Sequence, residues 1–451
     1  MKLQLKDKRV LVLGLGETGL SALRWLKRQG ARLSVADTRE TPPGLATLKA
    51  ELPDATIHLG PFRREVFEAA DVIVASPGVP LAEPEIQAAL KHGTPVVGDV
   101  ELFAQYKLPQ SKVIAITGAN GKSTVTTLVG AMCEQAGLKT VVAGNIGLPV
   151  LDVLEPPADV YVLELSSFQL ETTSSLHADA ATVLNVTEDH MDRYDGMEDY
   201  AAAKARVFFG NGVQVLNRED EWSRSMALPG RSVVSFGTDA PQGEGFGLIA
   251  HENTLWLGQG EQRLLDTAEM RITGLHNAAN ALAALALCRA IGLDMAPLLT
   301  ALREFKGLPH RVEWVAEVDG VAYYDDSKGT NVGATCAAIA GLPRKVVLIA
   351  GGDGKGQDFA PLREPVAQNA RAVVLIGRDG PQIGKAVSEA GVPLLQAKTL
   401  EDAVQLASQV AQQGDAVLLS PACASFDMFR NYAHRAEVFV QAVRQLQKEA
   451  A

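Results

Sequence analysis

Val113-Ile-Ala-Ile-Thr-Gly-Ala-Asn-Gly-Lys-Ser-Thr124 is the stretch that decides the fold. An apolar run short enough for a buried strand breaks into a glycine-bearing turn, and a lysine and two hydroxyls then open a helix. Glycines let backbone N–H groups converge on phosphate oxygens, and the helix N-terminus adds its positive end. Lys122 can then reach β- and γ-phosphates and Ser123 can take Mg²⁺, an order that suits a nucleoside triphosphate. The loop is a variant with Gly118 and Gly121, because Ile116 stands where G-x-x-x-x-G-K-[ST] has its first glycine.

Outward from this stretch, short apolar runs alternate with helical patterns, which predicts parallel α/β units. Upstream lie a strand Val10–Leu13, a turn at Gly14, a helix carrying Leu20, Leu23 and Leu26 that stops at Gly30, and strands Leu33–Ala36, Val72–Ala75 and Val96–Val97. Beyond the turn come strands Tyr161–Leu165 and Thr182–Asn185, short strands or hairpins at Val233–Phe236, Gly247–Ala250 and Thr254–Leu257, and an Ala/Leu-rich helix Asn277–Ile291. A last block has strands Val346–Ala350, Ala372–Ile376 and Ala416–Leu419. Boundaries near Gly98 and Gly307–Pro309 divide the chain into 1–98, 99–307 and 308–451.

With 451 residues, 47% of them hydrophobic, the chain can fill several cores. Its 42 Lys+Arg against 53 Asp+Glu argue against a wide surface for duplex nucleic acid, so anionic ligands must be held locally. No apolar stretch approaches the ~18 residues of a membrane span, and the start enters a strand without a signal-like apolar region. A cytoplasmic protein with no membrane insertion is expected. Cys133, Cys288, Cys336 and Cys423 stand far apart without a C-x-x-C, which predicts buried free thiols.

A rival signal is Gly14-Leu-Gly-Glu-Thr-Gly19 with Asp37 at the end of the next strand, a full dinucleotide fingerprint. Glu17 opposes pyrophosphate there, and Asp37-Thr38-Arg39 mixes a ribose acceptor with a cation. Three readings stay open on these residues: an NAD-binding oxidoreductase or sensor, another nucleotide in the same crevice, and a structural turn. Asp159–Ser167 is an apolar strand ending in Glu164, placed to meet a metal at the phosphate loop. In Asn185–Arg193 one His190 lies among Glu188, Asp189 and Asp192, a set that suits Mg²⁺ better than Zn²⁺. Gly351–Gly356, with Lys355, reads as an anion clamp, and Asp325–Thr330 and Ser420–Asp427 are polar clusters where open α/β sheets bind ligands.

Together TGANGKST, GNIG at Gly144–Gly147, ELSSFQLE at Glu164–Glu171, NVTEDHMDRY at Asn185–Tyr194, HNAANALAA at His276–Ala284, GLPHR at Gly307–Arg311, DDSKGTN at Asp325–Asn331, GGDGKG and SPACASFD resemble the Mur ligase family over the whole chain. The GLGETG start, DTRETPPGL at Asp37–Leu45, SPGVP at Ser76–Pro80 and the SPACASFD end resemble the members that add D-glutamate to UDP-N-acetylmuramoyl-L-alanine. The Asp-Asn-Pro-Arg signature of the diamino-acid-adding members is absent.

The resemblance implies an α/β fold of three domains: a Rossmann-like UDP-sugar domain, a central P-loop ATPase domain with a parallel sheet and small antiparallel strands, and a Rossmann-like amino-acid domain. It implies ATP and two Mg²⁺ ions as cofactors and an acyl-phosphate intermediate; separately, a monomer is expected. Gly118, Asn120, Gly121, Lys122, Ser123 and Thr124 would hold phosphates, with Asn277, Asn280, Arg311 and Asp326 around the adenosine and phosphates. Ser123, Glu164, His190 and Lys204 would hold the metals, Lys204 as N6-carboxylysine, with Lys122, His190 and Lys204 as the catalytic set. Thr18, Asp37, Thr38, Arg39, Ser76, Gly78 and Asn145 would take the UDP-sugar; Lys328, Thr330, Lys355, Ser425, Phe426 and Tyr432 would frame D-glutamate. Gly329 stands where relatives often have Ala, and Tyr432 where Phe is usual. A folate polyglutamylating ligase would share the loop and the acyl-phosphate chemistry.

Overall fold

The computed structural model describes residues 2–272 and 274–449. Among them, three sheets follow one another along the chain. The first contains β1 (Arg9–Leu13), β2 (Arg32–Asp37), β3 (Thr56–Leu59), β4 (Val72–Ala75) and β5 (Val96–Val97), in the order β3-β2-β1-β4-β5. Every pairing in it is parallel. The order reverses at β1, so the crevice for a ligand opens beyond the carboxyl ends of β1 and β4.

The second sheet contains β6 (Lys112–Thr117), β7 (Thr140–Gly144), β8 (Val160–Glu164), β9 (Ala180–Val183), β10 (Val213–Asn217), β11 (Val233–Phe236), β12 (Phe246–His251), β13 (Thr254–Gln259) and β14 (Gln262–Asp266). Their order is β14-β13-β12-β11-β10-β9-β6-β8-β7. β6 lies between β8 and β9 and is buried from Val113 to Thr117, as its unbroken apolar run requires. Only β12, β13 and β14 pair antiparallel, where the helical period fades in the sequence.

The third sheet contains β15 (Glu313–Val318), β16 (Val321–Asp325), β17 (Val346–Gly351), β18 (Ala370–Ile376), β19 (Leu394–Gln396) and β20 (Ala416–Leu419), in the order β15-β16-β20-β17-β18-β19. Both its faces carry apolar cores, one with Leu348, Val373 and Leu418 and the other with Ile349, Val374 and Val417. The alternation of neighbouring residues between the two cores is the period-2 signature of a strand covered on both sides.

By their contacts the residues form two compact units, 1–185 with 198–266 and 281–303, and 186–197 with 267–280 and 304–451. The first unit holds the first two sheets, and the second unit holds the third sheet. The loop of NVTEDHMDRY and the opening of HNAANALAA therefore pack with the third sheet. Cys133, Cys288 and Cys423 are buried free thiols, while Cys336 is half-buried.

Candidate functional site in two units

In the first unit the deciding turn is pinned from β9. Asn185 accepts the N–H of Ala119 on its carbonyl at 2.9 Å and that of Asn120 on its side-chain oxygen at 2.8 Å, while its own amide donates to the Asn120 carbonyl at 3.1 Å. Gly121 has φ +83°, a left-handed conformation that a side chain would strain, and the helix Lys122–Gln135 starts directly after it. Ser123 and Thr124 are buried in its first turn. Lys122 Nζ donates to the carbonyls of Gly118 (2.8 Å) and Ala119 (2.9 Å). Lys204 is buried; its Nζ donates to the same Gly118 carbonyl at 2.9 Å and lies 4.4 Å from the Tyr200 ring centre. Two lysine side chains thus meet at one loop carbonyl.

Glu164 ends β8 beside this loop and is fully buried. Its Oε1 accepts Asn145 Nδ2 at 2.6 Å, and its Oε2 has no hydrogen-bond partner among the described residues. The hydroxyls of Thr117 and Thr182 are likewise buried and unpartnered among these residues. A buried carboxylate oxygen left unmatched is costly, and a hard divalent cation is the ligand that suits it.

A cavity of about 470 Å³ opens at the carboxyl ends of β1, β2 and β4, lined by Thr18, Asp37, Thr38, Arg39, Ser76 and Gly78, with Asn145 also on its wall. Gln169 lines it too, a residue the motif reading passed over. Asp37 accepts the Leu15 N–H at 2.7 Å and a two-pronged Arg39 guanidinium at 2.7 and 2.8 Å. Burial disfavours its charge, but these hydrogen bonds win and hold its pKa at about 2. The carboxylate that a nicotinamide dinucleotide would need for its ribose is therefore engaged with Arg39, which weakens the NAD reading.

In the second unit a cavity of about 630 Å³ is lined by Asn277, His276, Arg311, Lys306, Trp314 and Tyr324, among others. Asn280 donates to Asn277 Oδ1 at 3.4 Å. Asp326 is buried next to that cavity's wall, accepting Ser420 Oγ at 2.7 Å and the Val312 N–H at 3.3 Å. Burial pushes its pKa up to about 7 despite Ser420 and Arg311.

Lys328 Nζ donates to the Tyr432 hydroxyl at 3.1 Å and lies 4.2 Å from its ring centre. Lys355 pairs with Asp189, so the lysine of the Gly351–Gly356 loop is engaged by a carboxylate. Asp189 Oδ2 also lies 3.7 Å from His190 Nε2. Thr330 is half-buried and Ser425 buried, whereas Phe426 is 74% exposed.

Two features escaped the motif reading. Arg435 is fully buried, donating to the carbonyls of Ser327 (2.9 Å) and Cys423 (3.1 Å) and to Ser327 Oγ (3.1 Å), which ties DDSKGTN to SPACASFD. Burial pushes its pKa down to about 10, yet it stays charged at neutral pH. His310 Nδ1 lies 2.6 Å from Asp325 Oδ2. In sequence Arg435 is one more polar residue of an amphipathic helix, and only the fold reveals its burial.

Three family models match in succession: "Mur ligase MurD-like, N-terminal domain" over residues 8–98, "Mur ligase middle domain" over 116–288, and "Mur ligase, glutamate ligase domain" over 310–423. The chain is 67% identical to the UDP-N-acetylmuramoylalanine--D-glutamate ligase of Methylobacillus flagellatus, covering 99% of each chain. It is 59% identical to the protein of that name from Thiobacillus denitrificans, covering 100% of this chain and 98% of that one. Among solved structures, UDP-N-acetylmuramate-alanine ligase MurC of Thermotoga maritima superposes with TM-score 0.60 at 21% identity, covering 97% of this chain and 100% of that one. MurF ligase of the same organism, in complex with ADP, gives 0.61 at 16% identity, covering 99% and 97%.

Proposed function

The chain belongs to the Mur ligase family, and from that premise we propose that it joins D-glutamate to UDP-N-acetylmuramoyl-L-alanine in peptidoglycan precursor synthesis. It is an ATP-dependent, ADP-forming amide ligase. The end-to-end identity with D-glutamate ligases carries this reading. Neither a folate acceptor nor nicotinamide chemistry is favoured. The domains are 1–98 for the UDP-sugar, 99–307 for ATP and 308–451 for the amino acid. The enzyme works in the cytoplasm as a monomer, and through the cell wall it serves cell shape and division. None of its described helices is long and apolar enough to cross a membrane.

The chemistry follows from the reactants. A carboxylate does not condense with an amine in water near neutral pH, because the acid is ionised and has no good leaving group. The alanyl carboxylate therefore attacks the γ-phosphorus of ATP, giving an acyl phosphate and ADP. The D-glutamate amine, once deprotonated, attacks the acyl carbon and expels phosphate. Lys122 spreads the charge on the transferring oxygens. Ser123, Glu164, His190 and carbamylated Lys204 are the Mg²⁺ ligands, and the unmatched Glu164 Oε2 fits that role. The ions neutralise phosphate oxygens when bound. Carbamylation exchanges the Lys204 ammonium for an anionic oxygen donor.

In the first unit Thr18, Asp37, Thr38, Arg39, Ser76 and Gly78 hold uridine and diphosphate. Asn277, Asn280, Arg311 and Asp326 surround the adenosine and phosphates, and Lys328, Thr330, Lys355, Ser425, Phe426 and Tyr432 frame D-glutamate. Most of the acceleration comes from holding mutually repelling anions in line. Phosphate release from ATP and Mg²⁺ with UDP-N-acetylmuramoyl-L-alanine tests the reading, comparing D-glutamate, L-glutamate and no amino acid. Release confined to D-glutamate is expected. Release with none of them would overturn the acceptor assignment and make folate the next substrate to try.

A further inference from the structure

Asn145 sits where the sugar cavity and the cation carboxylate of the first unit meet. The chain reaches it through Gly144, whose φ is +110° and where a Cβ would lie 2.3 Å from the Glu164 carbonyl oxygen. Gly144 and Glu164 are register partners across β7 and β8, so only glycine lets residue 145 fold back onto this strand end. Two hydrogen bonds result: Asn145 N–H to the Glu164 carbonyl at 2.8 Å, and Asn145 Nδ2 to Glu164 Oε1 at 2.6 Å. The same asparagine lines the sugar cavity.

The carboxylate is thereby divided into two unequal oxygens. Oε1 is satisfied by a neutral amide, while Oε2 is buried and unpartnered among the described residues. Across the intervening strand β6, Thr182 shares with Glu164 the register partner Ile116, and the Thr182 hydroxyl is unpartnered among these residues too. An amide donor fixes the carboxylate's orientation without cancelling its charge, which a lysine there would do. We infer that Asn145 is a positioning residue that presents Glu164 to Mg²⁺ through Oε2 alone and couples that cation to occupation of the sugar cavity. The second amide hydrogen and Oδ1 of Asn145 remain for the acceptor, which then stiffens the Glu164 contact when bound. Coupling of this kind is reciprocal, each ligand tightening the other by the same factor.

This inference rests on the reading of Glu164 as a cation ligand. Its test is Mn²⁺ binding to the full chain with ADP present, read by the electron paramagnetic resonance of free Mn²⁺. Wild type, N145A, E164Q and the double variant are compared with and without UDP-N-acetylmuramoyl-L-alanine. N145A should weaken Mn²⁺ roughly tenfold, in the range for groups that orient metal ligands. E164Q should weaken it at least as much, and the double variant no further than E164Q. The acceptor should tighten Mn²⁺ in wild type and fail to do so in N145A. Wild-type Mn²⁺ affinity in N145A, or additive losses in the double variant, would overturn the inference. Wild-type affinity in E164Q would overturn the ligand reading itself. Thermal melts accompany each variant, and N145S takes over the comparison if N145A unfolds.

Discussion

Two strand-to-helix turns in the first unit share one plan and differ in charge. At Gly14–Gly19 the helix opens with Glu17, and the nearby cation Arg39 is matched by the buried carboxylate of Asp37. At Gly118–Gly121 the helix opens with Lys122, and Lys122 and Lys204 both close on the Gly118 carbonyl. Topology supplies each turn with a glycine-bearing strand end that opens a helix, and side-chain charge then decides what it holds. The balanced turn suits a ligand that stays whole, such as a nucleotide diphosphate handle. The turn that opens on Lys122 suits phosphate that must shed charge as a bond breaks.

The comparison is broken most severely by removing the lysines of the second turn. Lys122→Ala should lower kcat by about 10³-fold, as loss of a charge-stabilising donor does, with the melting temperature nearly unchanged. Lys204→Ala should cost about 10²-fold and recover in part with short-chain carboxylic acids that replace the carbamate. Full activity in that variant would remove the carbamate assignment. At the first turn, Arg39→Ala should raise the KM for the UDP-sugar about tenfold, with kcat preserved, the size of one charge-assisted contact.

The same variant should move acid unfolding. Asp37 is depressed to about 2 from an ordinary 3.8, so its contribution to stability is present above 3.8 and is lost as pH falls toward 2. Without Arg39 the folded pKa moves back up toward or above 3.8 and this acid loss should shrink, which urea midpoints between pH 2 and 5 would register. Asp326 runs the other way. Its pKa is raised to about 7, so its contribution is full below 3.8 and is lost as pH rises through 7. Asp326→Asn should flatten that decline. The smallest effect belongs to Tyr432→Phe, which removes only the hydroxyl on Lys328 and should raise the KM for D-glutamate about two- to threefold.

The glycine turns and most central strands were legible because a strand buried on both faces is an unbroken apolar run, as at Val113–Ile116 and Val346–Ala350, whereas the central strand β16, with two tyrosines and an aspartate, was not. The edge strands β3, β7 and β19 were not, since their half-exposed residues carry no such run. β10 was hidden by Gln214, fully buried and satisfied by Met226 and Leu228, which reads as a break in hydrophobicity. In the site, the residues lining the sugar cavity could be named from motifs. The Asn145–Glu164 pairing could not, because it depends on the register of β7 against β8, and Arg435 could not, because its burial is tertiary.

Glu101, in the helix Asp99–Tyr106 that leaves the first sheet, accepts the N–H groups of Ser174 (2.7 Å) and Ser175 (2.9 Å), the Ser175 hydroxyl (2.6 Å) and the Gln105 amide (2.8 Å). Ser174 and Ser175 belong to the segment that feeds β9. A carboxylate so tied fuses two sheets into one mechanical block: neither can swing or melt without tearing the other's anchor. Amide protons of β1 and of β6 should therefore exchange through a single shared opening event, and a pulling force on the first sheet should be felt at the phosphate turn before any strand lets go.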